Sequence, residues 1–92
     1  MDLIIEISDS SLSLDRNEKT SLYAKGGITD YWLLNLKHHR LEVRRYPWAR
    51  EDAAYGWDFA TVRLYSPGQQ VSPLFAPKIL FDVSDLLGPR PA

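Results

Sequence analysis

The chain has 92 residues, enough for one domain that buries roughly 60–65% of the surface its unfolded form exposes. Its apolar fraction of 45% separates it from disordered segments, and a net charge of −1 with a pI near 6.0 excludes a broadly basic surface for nucleic acid or anionic lipid. With no cysteine, disulfides, thiolate metal sites and cysteine nucleophiles are excluded as well.

Leu3 to Ile7 is a nearly continuous aliphatic run broken only by Glu6, the pattern of a strand buried on both faces. An acid inside such a run needs a partner or a function, because burying an unpaired carboxylate is costly. Asp2 precedes the strand; its bland reading is a solvated terminus. Ser8 to Ser13 reads as a loop whose hydroxyls lack an evident base. Asp15 followed by Glu18 resembles a capping box and opens a helix through about Lys25, stopped by Gly26-Gly27. Lys19, Leu22 and Tyr23 fall on one side of that helix, which places Lys19 on the packing side. A plain ion pair between Lys19 and Asp15 at i, i+4 is the competing assignment.

Tyr31 to Asn35 and Arg40 to Tyr46 are predicted to form a hairpin around the polar turn Lys37-His38-His39. Adjacent histidines in a turn point apart, and no third ligand follows at a metal-site spacing, so the pair reads as a solvated turn. Pro47 to Tyr55 is a charged connection, and Trp57 to Tyr65 a fourth strand. Arg44, Arg45, Tyr46, Trp48 and Arg50 form a basic and aromatic group, read first as a sheet edge or subunit contact and second as a phosphate or base contact. Ser66-Pro67-Gly68 is a turn, and the prolines between Val71 and Pro77 limit that stretch to short or edge pairing. Ile79 to Phe81 pairs briefly, Asp82 caps one helical turn over Val83 to Leu87, and residues 89–92 form a flexible tail to a domain of residues 1–88. No apolar run approaches the roughly 20 residues of a membrane helix, so the expected location is cytoplasmic and membrane-free.

Two acids and a lysine in the opening segment are the residue types of metal-assisted phosphodiester cleavage. Mg²⁺ and Mn²⁺ take hard oxygen ligands, and Mg²⁺ commonly uses one or two carboxylates with substrate phosphate. On a regular strand Asp2 and Glu6 share a face but lie roughly 13 Å apart, so a single ion bound by both requires a bend, or else Asp9 or Asp15 supplies the second acid.

The segments Asp2-Leu-Ile-Ile-Glu6-Ile-Ser, Asp15-Arg-Asn-Glu-Lys19, Leu22-Tyr23-Ala24, Gly27-Ile28 and Asp30-Tyr31-Trp32-Leu33 resemble the Uma-two family of the PD-(D/E)XK restriction-endonuclease-like superfamily. A weaker likeness runs through the hairpin and Ser66-Pro67-Gly68 to Leu87. The resemblance implies an α+β domain: a truncated restriction-endonuclease-like fold with a twisted, mainly antiparallel sheet and one principal helix. It makes Glu6 the motif acid and a metal ligand, puts Ser8 where the superfamily carries lysine, and transfers that role to Lys19 on the helix. Asp2 matches the acid of a Pro-Asp pair, with Met1 in place of the proline, and is the second catalytic and metal-ligand candidate. Asp9 likewise stands where members usually carry proline. The family's N-terminal half, which holds an early helix, further strands and another site acid, has no counterpart here, so the resemblance also implies an incomplete centre.

The activity so implied is Mg²⁺- or Mn²⁺-dependent hydrolysis of DNA phosphodiesters, with a homodimer or a separate N-terminal half as partner. The rival expectation is a non-catalytic remnant that acts as a dimerisation or interaction module through an exposed sheet edge.

Overall fold

The computed structural model describes residues 3–8 and 14–89. Among them, β1 (Leu3–Ser8), β2 (Asp30–Asn35), β3 (Arg40–Ala49) and β4 (Trp57–Tyr65) form one sheet in sequence order. β1 runs parallel to β2, with helix α1 (Leu14–Lys25) in the connection between them, and the remaining neighbours are antiparallel. A parallel pair requires a crossover of this kind, whereas the β2–β3 hairpin needs only the turn at 36–39. The architecture is α+β, compatible with the expected part of a restriction-endonuclease-like fold.

The sheet's two faces differ in chemistry. On one, Trp32, Leu34, Leu41 and Val43 pack with Val71 from β5 (Gln70–Val71) and with Val83 and Leu87 from helix α2 (Val83–Leu87). Phe81, in β6 (Phe81–Asp82) opposite β5, lays its ring edge against Trp32 with centroids 6.2 Å apart. Asp82 caps α2 as the sequence indicates, accepting from the Ser84 backbone N–H at 3.1 Å and the Ser84 hydroxyl at 2.7 Å. At the end of this face Asp30 is buried and accepts from Trp32 Nε1 (2.8 Å), Arg45 Nε (2.8 Å) and the Leu74 backbone N–H (2.9 Å). Arg45 also donates to the Ser72 carbonyl, so one ion pair fastens the 72–74 segment to the sheet.

On the other face α1 packs mainly over β3 and β4. Ala24, Tyr31, Leu33 and Phe59 form its apolar centre, with Ile4, Tyr23 and Ile28 around them. The side of α1 turned inward is Thr20, Ser21 and Ala24, so the expected packing side is corrected: Lys19 and Leu22 are exposed and only Tyr23 is partly buried. Small side chains let the helix sit close to the sheet. The Ser21 hydroxyl also donates to the Trp57 carbonyl (2.6 Å) and accepts from the Tyr55 backbone N–H (2.8 Å), satisfying both groups.

Three further expectations are corrected. β1 is not buried on both faces: it is an edge strand, and Ile5 and Ile7 are 49% and 68% exposed. The helix already includes Leu14, so Asp15 lies inside it rather than at its cap. β3 continues past Pro47 to Ala49, because β2 ends at the Asp30–Arg45 pair and nothing beyond requires an N–H from the proline. Pairing is interrupted at Tyr46, which has a left-handed φ of 64° and donates its backbone N–H to the Thr29 carbonyl. Strict alternation would keep Phe59 on the α2 face with Arg45 and Thr61. After the interruption it packs beside Tyr31 instead, with ring centroids 6.1 Å apart.

Candidate functional site

Glu6 sits at the middle of β1, paired with Leu33, with its side chain on the helix face of the sheet. It is partly buried, and its carboxylate is claimed from two directions. The Tyr23 hydroxyl on α1 donates to Oε1, and the Tyr31 hydroxyl on β2 lies 3.5 Å from Oε2, at the outer limit of a hydrogen bond. The two rings meet edge to face with centroids 5.2 Å apart. Burial first, and the neighbouring Glu6 charge second, push the Tyr31 hydroxyl well above the ordinary tyrosine range, so it remains protonated and able to donate at neutral pH. The acid that interrupts an aliphatic strand is thus met by neutral donors rather than by a cation.

Lys19 projects from the exposed side of α1, one turn before Tyr23. The helix therefore carries both the lysine and a direct contact to the acid. Asp2 and Asp9 lie outside the described residues, as does the side chain of Asp15. The next acid on the same face is Glu42, in the same cross-strand row as Glu6 and Leu33 but two strands away, roughly 10 Å. Glu42 is buried and ion-paired with Arg44 at 3.4 Å. Among the described residues no group of three or more His, Cys, Asp or Glu could hold a metal ion. Glu6 nevertheless fits a magnesium-type ligand: it is a hard carboxylate whose two oxygens offer about four lone-pair sites, more than the tyrosines take.

The basic and aromatic group does not lie on a sheet edge as first read: Arg44 and Arg45 sit in the interior strand β3, paired with both β2 and β4, and only the stretch from Pro47 to Ala49 pairs with β4 alone. Each of its arginines has an acidic partner: Arg44 has Glu42, Arg45 has Asp30, and Arg50 has Asp52 at 2.8 Å and Asp58 at 3.0 Å. Tyr46 and Trp48 are about half exposed. On the far side of Tyr31 from Glu6, a cavity of about 270 Å³ opens between α1 and the β3–β4 connection, lined in part by Thr20, Ser21, Arg44 and Arg50. His38 and His39 lie in the turn, with the His38 backbone N–H bonded to Asn35 Oδ1.

Sequence reasoning singled out Glu6 and Lys19 as candidates but missed the two tyrosines as partners of Glu6. The available signal was parity. With β1 and β2 aligned as parallel strands, Ile4 opposes Tyr31, which puts Tyr31 beside Glu6 on one face.

The four-stranded mixed sheet with α1 in its parallel crossover is an α+β architecture compatible with a truncated restriction-endonuclease-like fold. The Uma2 (Uma-two) family model, described as "Putative restriction endonuclease", matches residues 1–77, and the chain belongs to that family. No curated protein and no solved structure matches it. No helix among the described residues is long and apolar enough to cross a membrane.

Proposed function

We propose that this chain carries part of the catalytic centre of a Mg²⁺- or Mn²⁺-dependent DNA endonuclease. The observation behind this reading is that, in a family of nuclease type, a strand carboxylate is hydrogen-bonded by the same helix that presents a lysine. Glu6 would hold the ion. Lys19, on a long flexible stem, would orient the attacking water or the scissile phosphate. A bound divalent ion supplies charge neutralisation at the phosphoryl oxygens during hydrolysis. Asp2 is the proposed second acid on this chain, and the proposed partner is a second copy or a separate N-terminal half, of which only the latter would bring a further acid. The reading places the protein in the cytoplasm with DNA as its substrate.

Calorimetric titration of Mn²⁺ into the purified chain, beside Glu6→Ala in matched buffer, tests it without a choice of substrate. Saturable binding that disappears in Glu6→Ala is the expected result. Equal or absent binding in both proteins overturns the metal-dependent reading.

One observation favours a second reading, a non-catalytic module that pairs with another copy. β1 is an edge strand with Ile5 and Ile7 exposed, and an edge of that kind is a template for strand addition. Light scattering that gives a dimer for the native chain and a monomer for Ile7→Lys, together with no Mn²⁺ binding, would favour this reading over the first.

A further inference from the structure

From residue 17 onward helix α1 buries little apolar surface: its inward side is Thr20, Ser21 and Ala24, and its exposed side includes Leu22. Non-directional packing of such small residues fixes a helix's rotation and slide only weakly, so directional bonds must set its register. Two such side-chain attachments lie on opposite sides of the helix. At one, Ser21 bridges the Trp57 carbonyl and the Tyr55 N–H on the β4 side. At the other, Tyr23 reaches the opposite edge of the sheet and donates to Glu6 on β1. The Tyr23 ring is itself braced by Tyr31, which β2 holds almost fully buried.

From this geometry we infer that Tyr23 is a positioning residue: its hydroxyl fixes the orientation of the Glu6 carboxylate and, through the same bond, sets the rotation of helix α1 and with it the position of Lys19 one turn away. Lys19 and Tyr23 are four residues apart and therefore share a side of the helix, with Lys19 about 6 Å nearer the helix N-terminus. A bond made by Tyr23 to the strand thus determines where Lys19 can reach. Tyr31 contributes mainly as a wall behind the Tyr23 ring, because its own hydroxyl is 3.5 Å from Glu6. Partners that hydrogen-bond a metal-binding carboxylate commonly change metal affinity 10–100-fold when removed, which sets about the size of effect expected of Tyr23. This inference rests on the proposed reading of Glu6 and Lys19 as site residues.

The test uses Mn²⁺ as both ligand and paramagnetic probe on the whole chain. Tyr23→Phe keeps the ring and its contact with Tyr31 while removing the donor, and circular dichroism reports whether the fold is retained. Mn²⁺ is expected to bind the native chain and broaden the Lys19 side-chain NMR signals. In Tyr23→Phe, affinity should fall about 10–100-fold, and broadening of Lys19 at saturating Mn²⁺ should diminish. Ser21→Ala, which loosens the other attachment, should leave Mn²⁺ affinity unchanged. Native-like affinity and Lys19 broadening in Tyr23→Phe would overturn the inference and leave the metal-site reading standing. An equal loss in Ser21→Ala would also overturn it, because the effect would then be general loosening of the helix. No Mn²⁺ binding by the native chain would overturn the site reading, and the inference with it.

Discussion

The sheet's two faces are built on different physics. Apart from the Asp30 network at its end, the face toward α2 is held by Trp32, Leu34, Leu41, Val43, Val71 and Val83, whose burial is non-directional and tolerant of small shifts. The face toward α1 carries Glu6, Glu42, Arg44 and Ser21 beside a smaller buried apolar cluster of Ala24, Tyr31, Leu33 and Phe59. Those polar groups depend on named partners at defined distances, as in Tyr23 to Glu6 and Ser21 to Trp57. The first arrangement supplies stability and the second supplies geometry. A substitution should therefore reveal its face by what it disturbs.

The largest expected effect is on the apolar face. Trp32→Ala removes a side chain that is 1% exposed and should cost about 3–5 kcal/mol in denaturant unfolding. A chain of this length has only about 5–14 kcal/mol in total, so that loss is a large share of its stability. A loss under 1 kcal/mol would break the contrast between the faces.

Next is the ion pair at the end of that face. Asp30→Ala should cost roughly 3 kcal/mol by leaving Arg45 without its acid and freeing the Leu74 N–H. Hydrogen exchange should show the 72–74 segment opening more readily than the sheet.

A smaller, pH-dependent effect belongs to the helix face. The folded state raises the Tyr31 hydroxyl above its unfolded value of about 10, so the proton is held more tightly when folded. Its contribution is fully present below that pH and declines as pH rises beyond it, because the unfolded chain ionises first. Alkaline unfolding followed by circular dichroism should therefore show a stability loss above about pH 10, and Tyr31→Phe should reduce its slope.

The smallest change in stability is expected at Lys19. Lys19→Ala should alter unfolding by no more than about 0.5 kcal/mol, since the residue is exposed, while any nuclease activity falls. A large stability loss there would mean that the lysine is structural, and would blur the distinction between the faces.

Much of the architecture is legible in the sequence because periodicity and turn chemistry are local. The β2–β3 hairpin, the Gly26-Gly27 stop and the Asp82 cap all follow from residues within a few positions of one another. The inward side of α1 is not legible in this way. Lys19, Leu22 and Tyr23 make the more hydrophobic stripe, yet Thr20, Ser21 and Ala24 face the sheet. That choice depends on a close approach to β3 and β4 and on a carbonyl and an N–H more than thirty residues away. Likewise Glu6 is conspicuous as an acid in an aliphatic run, but its partners become visible only once the parallel register of β1 and β2 is known.

Tyr23 is held through its main chain as well as its ring. Its carbonyl accepts from the Ile28 N–H where the chain leaves the helix, and Gly27 takes a left-handed φ of 84° to permit that turn. The residue thus resembles the fulcrum of a short lever, gripped by the helix end and by the strand. Lys19 sits about 6 Å along the arm, so a tilt of about 10° about Tyr23 would carry its backbone roughly 1 Å. Under the proposed role of Lys19, that displacement would be enough to decide whether it reaches the scissile phosphate.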